Sequence, residues 1–120
     1  MPKRVLVVDD SAMIRMQVKR ALLAAGFEVS EAVDGLDALE KMDAEIALAV
    51  LDVNMPRMNG LELLQALKDR GTHDGLPIVM LTTESQPELI RQARALGAQG
   101  WLVKPFRPDL LVAAVEKMAR

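Results

Sequence analysis

Cysteine is absent from this sequence, and so is tyrosine. Without cysteine there are no disulfides and no thiolate metal sites, which fits a reducing compartment. Aromatic residues make up only 2%, so a core drawn from the 51% hydrophobic residues has to be aliphatic and methionine-rich. No apolar run approaches the roughly 18 residues needed to cross a bilayer. Nor is there a polybasic segment: 15 basic and 17 acidic residues leave a net charge of -2, which gives binding to nucleic acid or an anionic membrane no electrostatic support. The opening Met-Pro-Lys-Arg meets Val5 to Val8 and then acidic residues too quickly for a signal peptide. Neither a Gly-Lys phosphate loop nor a Gly-x-Gly-x-x-Gly motif is present, so nucleotide binding is unsupported. Linkers and low-complexity tracts are missing too. What remains is the expectation of one cytoplasmic domain spanning residues 1–120.

Strand and helix patterns alternate five times. The short apolar runs Val5 to Val8, Leu48 to Leu51, Ile78 to Leu81 and Trp101 to Val103 read as buried strands, with a weaker one at Glu28 to Ala32. A first helix places Ile14, Val18, Ala21, Leu22 and Ala25 on one stripe, with Arg15, Lys19 and Arg20 off it, and stops at Gly26. A short helix runs through Leu36, Leu39 and Met42. The third starts at Asn59, where Glu62 completes a capping-box spacing, and buries Leu63, Leu64 and Leu67. Ser85 and Glu88 repeat that spacing ahead of Leu89, Ile90, Ala93 and Leu96, with Pro87 in the first turn and Gly97 at the end. Pro108 opens a last helix whose stripe is Leu111, Ala114, Val115 and Met118. Such alternation at short spacing predicts an α/β fold with a parallel sheet and right-handed crossovers. The methionines at 13, 16, 42, 55, 58, 80 and 118 are expected to fill gaps in that core, and His73 to be a solvated loop residue.

Asp9, Asp10, Asp52, Thr82 and Lys104 each stand where a strand pattern ends. In an open α/β sheet those ends share one edge, where ligands bind. Each residue also has a local explanation. Asp10 and Ser11 can cap a helix, Asp52 can end a strand, Lys104 can be a surface lysine and Thr82 a strand-end hydroxyl. The local explanations do not account for all five falling at one edge. Three carboxylates sharing a pocket repel one another by about 4 kcal/mol per pair at ~4 Å and an effective dielectric near 20. One lysine cannot offset that. A hard cation with oxygen ligands can, and Mg²⁺ is the natural choice; the alternative is a carboxyl with a raised pKa.

The segments Val-Leu-Val-Val-Asp-Asp-Ser, Leu-Asp-Val-Asn-Met-Pro-Arg-Met-Asn-Gly, Leu-Thr-Thr-Glu and Val-Lys-Pro-Phe resemble the receiver domain of two-component response regulators, over essentially the whole chain. Among receivers the chain is most similar to the stand-alone chemotaxis regulators. The resemblance implies a single doubly wound (βα)5 flavodoxin-like domain with a five-stranded parallel sheet in the order 2-1-3-4-5. It makes Asp52 the phosphoacceptor for a sensor histidine kinase. Mg²⁺ would be bound by Asp10, Asp52 and the backbone carbonyl of Asn54, with Asp9 acting through water. Lys104 would pair with a phosphoryl oxygen, ahead of a cis bond to Pro105, and Thr82 would hydrogen-bond the phosphoryl group and move toward it. The downstream partner, a protein not identified by the sequence, would read the face of the fourth helix, fifth strand and last helix. The residues expected there are Ile90, Arg91, Arg94, Trp101 and Val112, and the expected state is a monomer or a weak phosphorylation-dependent dimer.

Two positions depart from the family pattern. Thr83 follows Thr82 where a small residue is usual, and its branched side chain would narrow access to the site. Trp101 occupies the aromatic switch position, usually Tyr or Phe; either it rotates inward on activation or it packs permanently at the sheet edge. Other functions remain in competition. An aspartate-nucleophile phosphatase resembles a pattern with a second carboxylate two residues after the nucleophile, and here that residue is Asn54, with no room for a cap domain. A receiver belonging to a longer regulator, or a degenerate receiver working by constitutive contact, are the other readings. No activity on an outside substrate is expected.

Overall fold

Five strands and five helices alternate in the computed structural model, which describes residues 2–71 and 75–119. They are β1 (Arg4–Val8), α1 (Ala12–Ala24), β2 (Glu28–Ala32), α2 (Gly35–Lys41), β3 (Ile46–Leu51), α3 (Gly60–Arg70), β4 (Ile78–Thr82), α4 (Pro87–Ala95), β5 (Gly100–Val103) and α5 (Pro108–Met118). All strand pairs are parallel, in the order β2-β1-β3-β4-β5. The order follows from the expected topology: after β2 the chain crosses back to the other side of β1, which leaves a switch point between β1 and β3. Register carries the consequence. Val8 pairs with Leu51 and Thr82 with Val103, so Asp9 and Asp52 leave adjacent strands at one level and Lys104 emerges one residue beyond Thr82.

Alternation of side chains along the strands divides the interior in two. Leu6, Val8, Ala49, Leu51 and Met80 point to one face, beneath Ala38 of α2, Leu63, Leu64 and Leu67 of α3 and Ala93 of α4. Val5, Val7, Leu48, Val50, Val79 and Leu81 point to the other, beneath Val18 and Leu22 of α1 and Leu111 and Val115 of α5. Both faces are covered, which is why β1, β3 and β4 read as unbroken aliphatic runs.

Helix ends show local chemistry at work. Ser11 caps α1 by accepting from Ile14 N–H, and Asn59 with Glu62 forms the full capping box at α3. At α4 the expectation fails. The cap residue is Gln86 rather than Ser85 and makes no side-chain cap bond, so Pro87 at the first position sets that start. Two methionines depart as well: Met13 and Met16 are 62% and 47% exposed, on the outer side of α1, where the 3.6-residue period puts them opposite Val18 and Leu22. Arg15, expected off the apolar stripe, has a side chain only 14% exposed because it folds back along α1 to Glu31 and the Asp9 carbonyl. Leu36 is exposed and Ala38 takes the buried place on α2. His73 lies outside the described residues.

Candidate functional site

The carboxyl edge of the sheet gathers the predicted set. Asp9, Asp52 and Thr82 are buried, Asp10 is exposed, and the Lys104 side chain is 12% exposed. Carboxylate oxygens of Asp9, Asp10 and Asp52 all lie within 4.8 Å of one another. Lys104 Nζ donates to Asp9 Oδ2 at 2.7 Å and to Asp52 Oδ2 at 3.2 Å. Asp52 is seated by its own N–H donating to the Val8 carbonyl at 3.0 Å. Thr82 Oγ1 accepts from Glu84 N–H at 3.3 Å, and the Thr82 carbonyl takes the Lys104 N–H at 2.9 Å. The Lys104–Pro105 peptide is cis, as expected.

The two oxygens of Asp9 are already engaged, Oδ1 by Ser11 N–H at 2.9 Å and Oδ2 by Lys104, whereas Asp10 stands open to solvent. Burial raises the Asp9 carboxyl above the ordinary range, and the neighbouring Asp52 charge adds to it; the bonds from Lys104 and Ser11 pull the other way. Burial is also the strongest single influence on Lys104 and favours its neutral form. The bond to Asp9 and the charges of Asp52 and Asp9 together outweigh it, so its pKa is raised and it stays an ammonium. One lysine thus reduces the repulsion among the acids without removing it. The donor set fits a hard divalent cation: oxygen only, close together and electrically undercompensated.

Two residues join the site without having been given a role in the sequence. Arg15 Nη1 donates to the Asp9 carbonyl at 2.6 Å while its Nε pairs with Glu31 at 3.2 Å. Glu84 is a hub: its Oε1 accepts from the Asn54 side-chain amide at 2.9 Å, and its carbonyl accepts the Trp101 indole N–H at 2.8 Å. Trp101 is half-buried against the α2–α3–α4 side of the core. Nothing in the spacing of Glu84 or Arg15 distinguishes them from surface charges, so only the fold reveals them. Of the residues expected at a partner face, Arg91 and Arg94 are exposed on α4, Ile90 and Trp101 are half-buried, and Val112 is half-buried against the α1–α5 side of the core. The described residues also enclose hollows that the acids do not line. One of about 300 Å³ is bounded by Leu64, Leu67, Leu76 and Leu96, and one of about 550 Å³ by Ile14, Ala21, Pro105 and Phe106. Neither includes a carboxylate.

With this sheet order and this cluster in place, comparison with known proteins is direct. The sequence model for the response regulator receiver domain matches residues 5–116, and the chain belongs to that family, the receivers of two-component signalling. It is CheY-like. It is 40% identical over 116 residues to the chemotaxis protein CheY1 of Helicobacter pylori, covering 94% of each chain. The solved structure of the chemotaxis protein CheY4 of Vibrio cholerae superposes with a TM-score of 0.91 at 43% identity, over 98% of this chain and 99% of that one. It is also 39% identical over 117 residues to the transcriptional regulatory protein PdtaR of Mycobacterium tuberculosis, of which it covers 56%. Receiver domains are signalling switches rather than typical enzymes.

Proposed function

We propose that this chain is a phosphorylation-activated switch that accepts a phosphoryl group from a sensor histidine kinase on Asp52. The observation that carries the reading is the convergence of Asp9, Asp10, Asp52, Thr82 and Lys104 at one sheet edge. An Asp52 carboxylate oxygen attacks phosphorus, the bond from phosphorus to the donor imidazole nitrogen breaks, and its electron pair leaves with the imidazole. In-line transfer of this kind asks for positioning and charge neutralisation more than for covalent help. Asp10, Asp52 and the Asn54 carbonyl would hold Mg²⁺, with Asp9 acting through water; the engaged oxygens of Asp9 and the open carboxylate of Asp10 favour that division. A cation held there would supply neutralisation of the charge that develops on the phosphoryl oxygens. Lys104 takes one of those oxygens, and Thr82 donates its hydroxyl to another. Turnover of its own phosphoaspartate is the only catalysis in this reading.

Output runs through Thr82 and Trp101 to a protein target on the face made by α4, the edge strand β5 and α5. Ile90, Arg91, Arg94, Trp101 and Val112 supply a partly apolar, basic-rimmed surface, the usual mark of a protein interface. When Thr82 Oγ1 turns to the phosphoryl group, Glu84 N–H loses its acceptor, and the Glu84 carbonyl is what holds the indole. Trp101 is the sole tryptophan, so its emission reports the coupling. Adding Mg²⁺ with beryllofluoride, a phosphoryl mimic, should shift that emission, and Thr82→Ala should remove the shift. A spectrum that stays put, or one that still shifts in Thr82→Ala, excludes this route from site to surface.

A further inference from the structure

Four polar side chains are buried among the described residues: Asp9, Asp34, Asp52 and Thr82. Three belong to the site just described. Asp34 does not, and it is not idle. It caps α2, accepting Asp37 N–H at 2.9 Å, and it grips Arg57 through two bonds, Nε to Oδ2 at 2.7 Å and Nη2 to Oδ1 at 3.1 Å. Arg57 sits in the β3–α3 loop that follows Asp52, and among the described residues it alone, glycines aside, has a positive φ, +63°. Left-handed backbone is unfavourable for a residue with a Cβ and persists where its surroundings enforce it.

Those surroundings are the start of α2. Gly35 N–H donates to the Met58 carbonyl at 3.0 Å, and a Cβ on Gly35 would lie 2.5 Å from Met58 Cγ and 2.8 Å from the Met58 carbonyl oxygen. At the far end of the loop Gly60 N–H donates to the Val53 carbonyl at 2.9 Å, and a Cβ on Gly60 would clash with the Asp52 carbonyl oxygen. The loop is therefore pinned at its middle against α2 and at its end against its own beginning. Asp52 and Asn54 lie on the stretch between β3 and the middle pin.

We propose that the Arg57–Asp34 pair is a positioning strap for the cation and phosphoryl site, holding the β3–α3 loop so that the Asp52 carboxylate and the Asn54 carbonyl are in place before Mg²⁺ arrives. The inference rests on the assignment of those two residues as ligands. Neither Arg57 nor Asp34 touches the cation; both act through the loop. A ligand taken from the backbone has no rotamer of its own, so its position is the position of the loop, and a looser loop spreads it over several.

The sign of one substitution separates the strap from other effects. Arg57→Gly removes a positive charge from the neighbourhood of a cation site, which by charge alone would tighten Mg²⁺ binding. Glycine also adopts φ +63° without strain. Weaker binding in Arg57→Gly therefore reports loss of the strap. Calorimetric Mg²⁺ titration of the full chain would compare wild type, Arg57→Gly, Asp34→Asn and the double variant; Asn at 34 keeps an acceptor for Asp37 N–H while losing the charge. Each single variant is expected to bind roughly tenfold more weakly, at the low end for outer partners of metal ligands. The double variant should be no weaker than the worse single, since both remove one contact. Urea unfolding without Mg²⁺ identifies conditions in which every variant is folded, where a purely structural role would leave the dissociation constant unmoved. Unchanged or tighter binding in Arg57→Gly, or losses that add in the double variant, overturns the strap. A wild type that binds no Mg²⁺ overturns the ligand assignment itself, a result distinct from a wild type that binds and variants that bind equally well.

Discussion

Lys104 sets how far three acidic side chains can share one pocket. Its ammonium touches Asp9 and Asp52 together, and yet burial first, with the neighbouring Asp52 charge adding to it, keeps the Asp9 carboxyl raised, so charge in this pocket is held at a cost. Removing one charge should relieve it. Asp52→Asn, which preserves an acceptor for Lys104, is expected to raise the melting temperature by about 3–6 °C, the effect of roughly 1 kcal/mol in a domain of this size, while abolishing phosphorylation. Scanning calorimetry without Mg²⁺ checks it, and a lower melting temperature would contradict it. The pH dependence has a definite sign. A carboxyl whose folded pKa is raised carries a penalty that is full above that pKa and disappears as pH falls toward its unfolded value near 3.8. Asp9→Asn should therefore stabilise the chain most near neutrality, with the gain shrinking on acidification in urea unfolding at a series of pH values. The five site residues were legible because each ends an apolar run. Asp34, Arg57, Arg15 and Glu84 were not, because a charged residue in a loop or on a helix looks the same whether it is solvated or holds a neighbour's backbone.

Element by element, what the sequence predicted best was hydrophobic period, and what it predicted least well was which of two adjacent polar residues caps a helix. Asn59 and Ser85 both precede a Glu at the right spacing, but only Asn59 directly adjoins its helix, with a side chain that accepts the N–H three residues on. At α4 the helix begins one residue later, because Pro87 fits the first helical position, and Ser85 is left outside. The energies should differ accordingly. Asn59→Ala is expected to cost about 1 kcal/mol, the usual loss for a working cap, and Ser85→Ala less than about 0.5 kcal/mol. Chemical denaturation of the two variants decides it, and equal losses would mean Ser85 caps α4 in solution. Edge strands were harder to read than central ones: β2 and β5 are partly open to solvent, so their runs are short or mixed, while β1, β3 and β4 are covered on both faces.

At the scale of the molecule, topology turns a one-dimensional pattern into a site. Parallel pairing puts the carboxyl end of each of the five strands on one edge, and the switch point between β1 and β3 opens there. Hence residues as far apart as Asp9 and Lys104 meet at 2.7 Å without any local signal linking them. Taking a phosphoryl group on Asp52 is the proposed work of this edge. Its most direct test is incubation of the chain with acetyl phosphate, with and without Mg²⁺, followed by mass spectrometry of the intact protein and its peptides. One phosphoryl group per chain is expected, dependent on Mg²⁺, stable in acid, labile in base, located on the peptide carrying Asp52 and absent from Asp52→Asn. Repeated turnover of the phosphoester without a stoichiometric adduct, a label on another residue, or no label at all would contradict it.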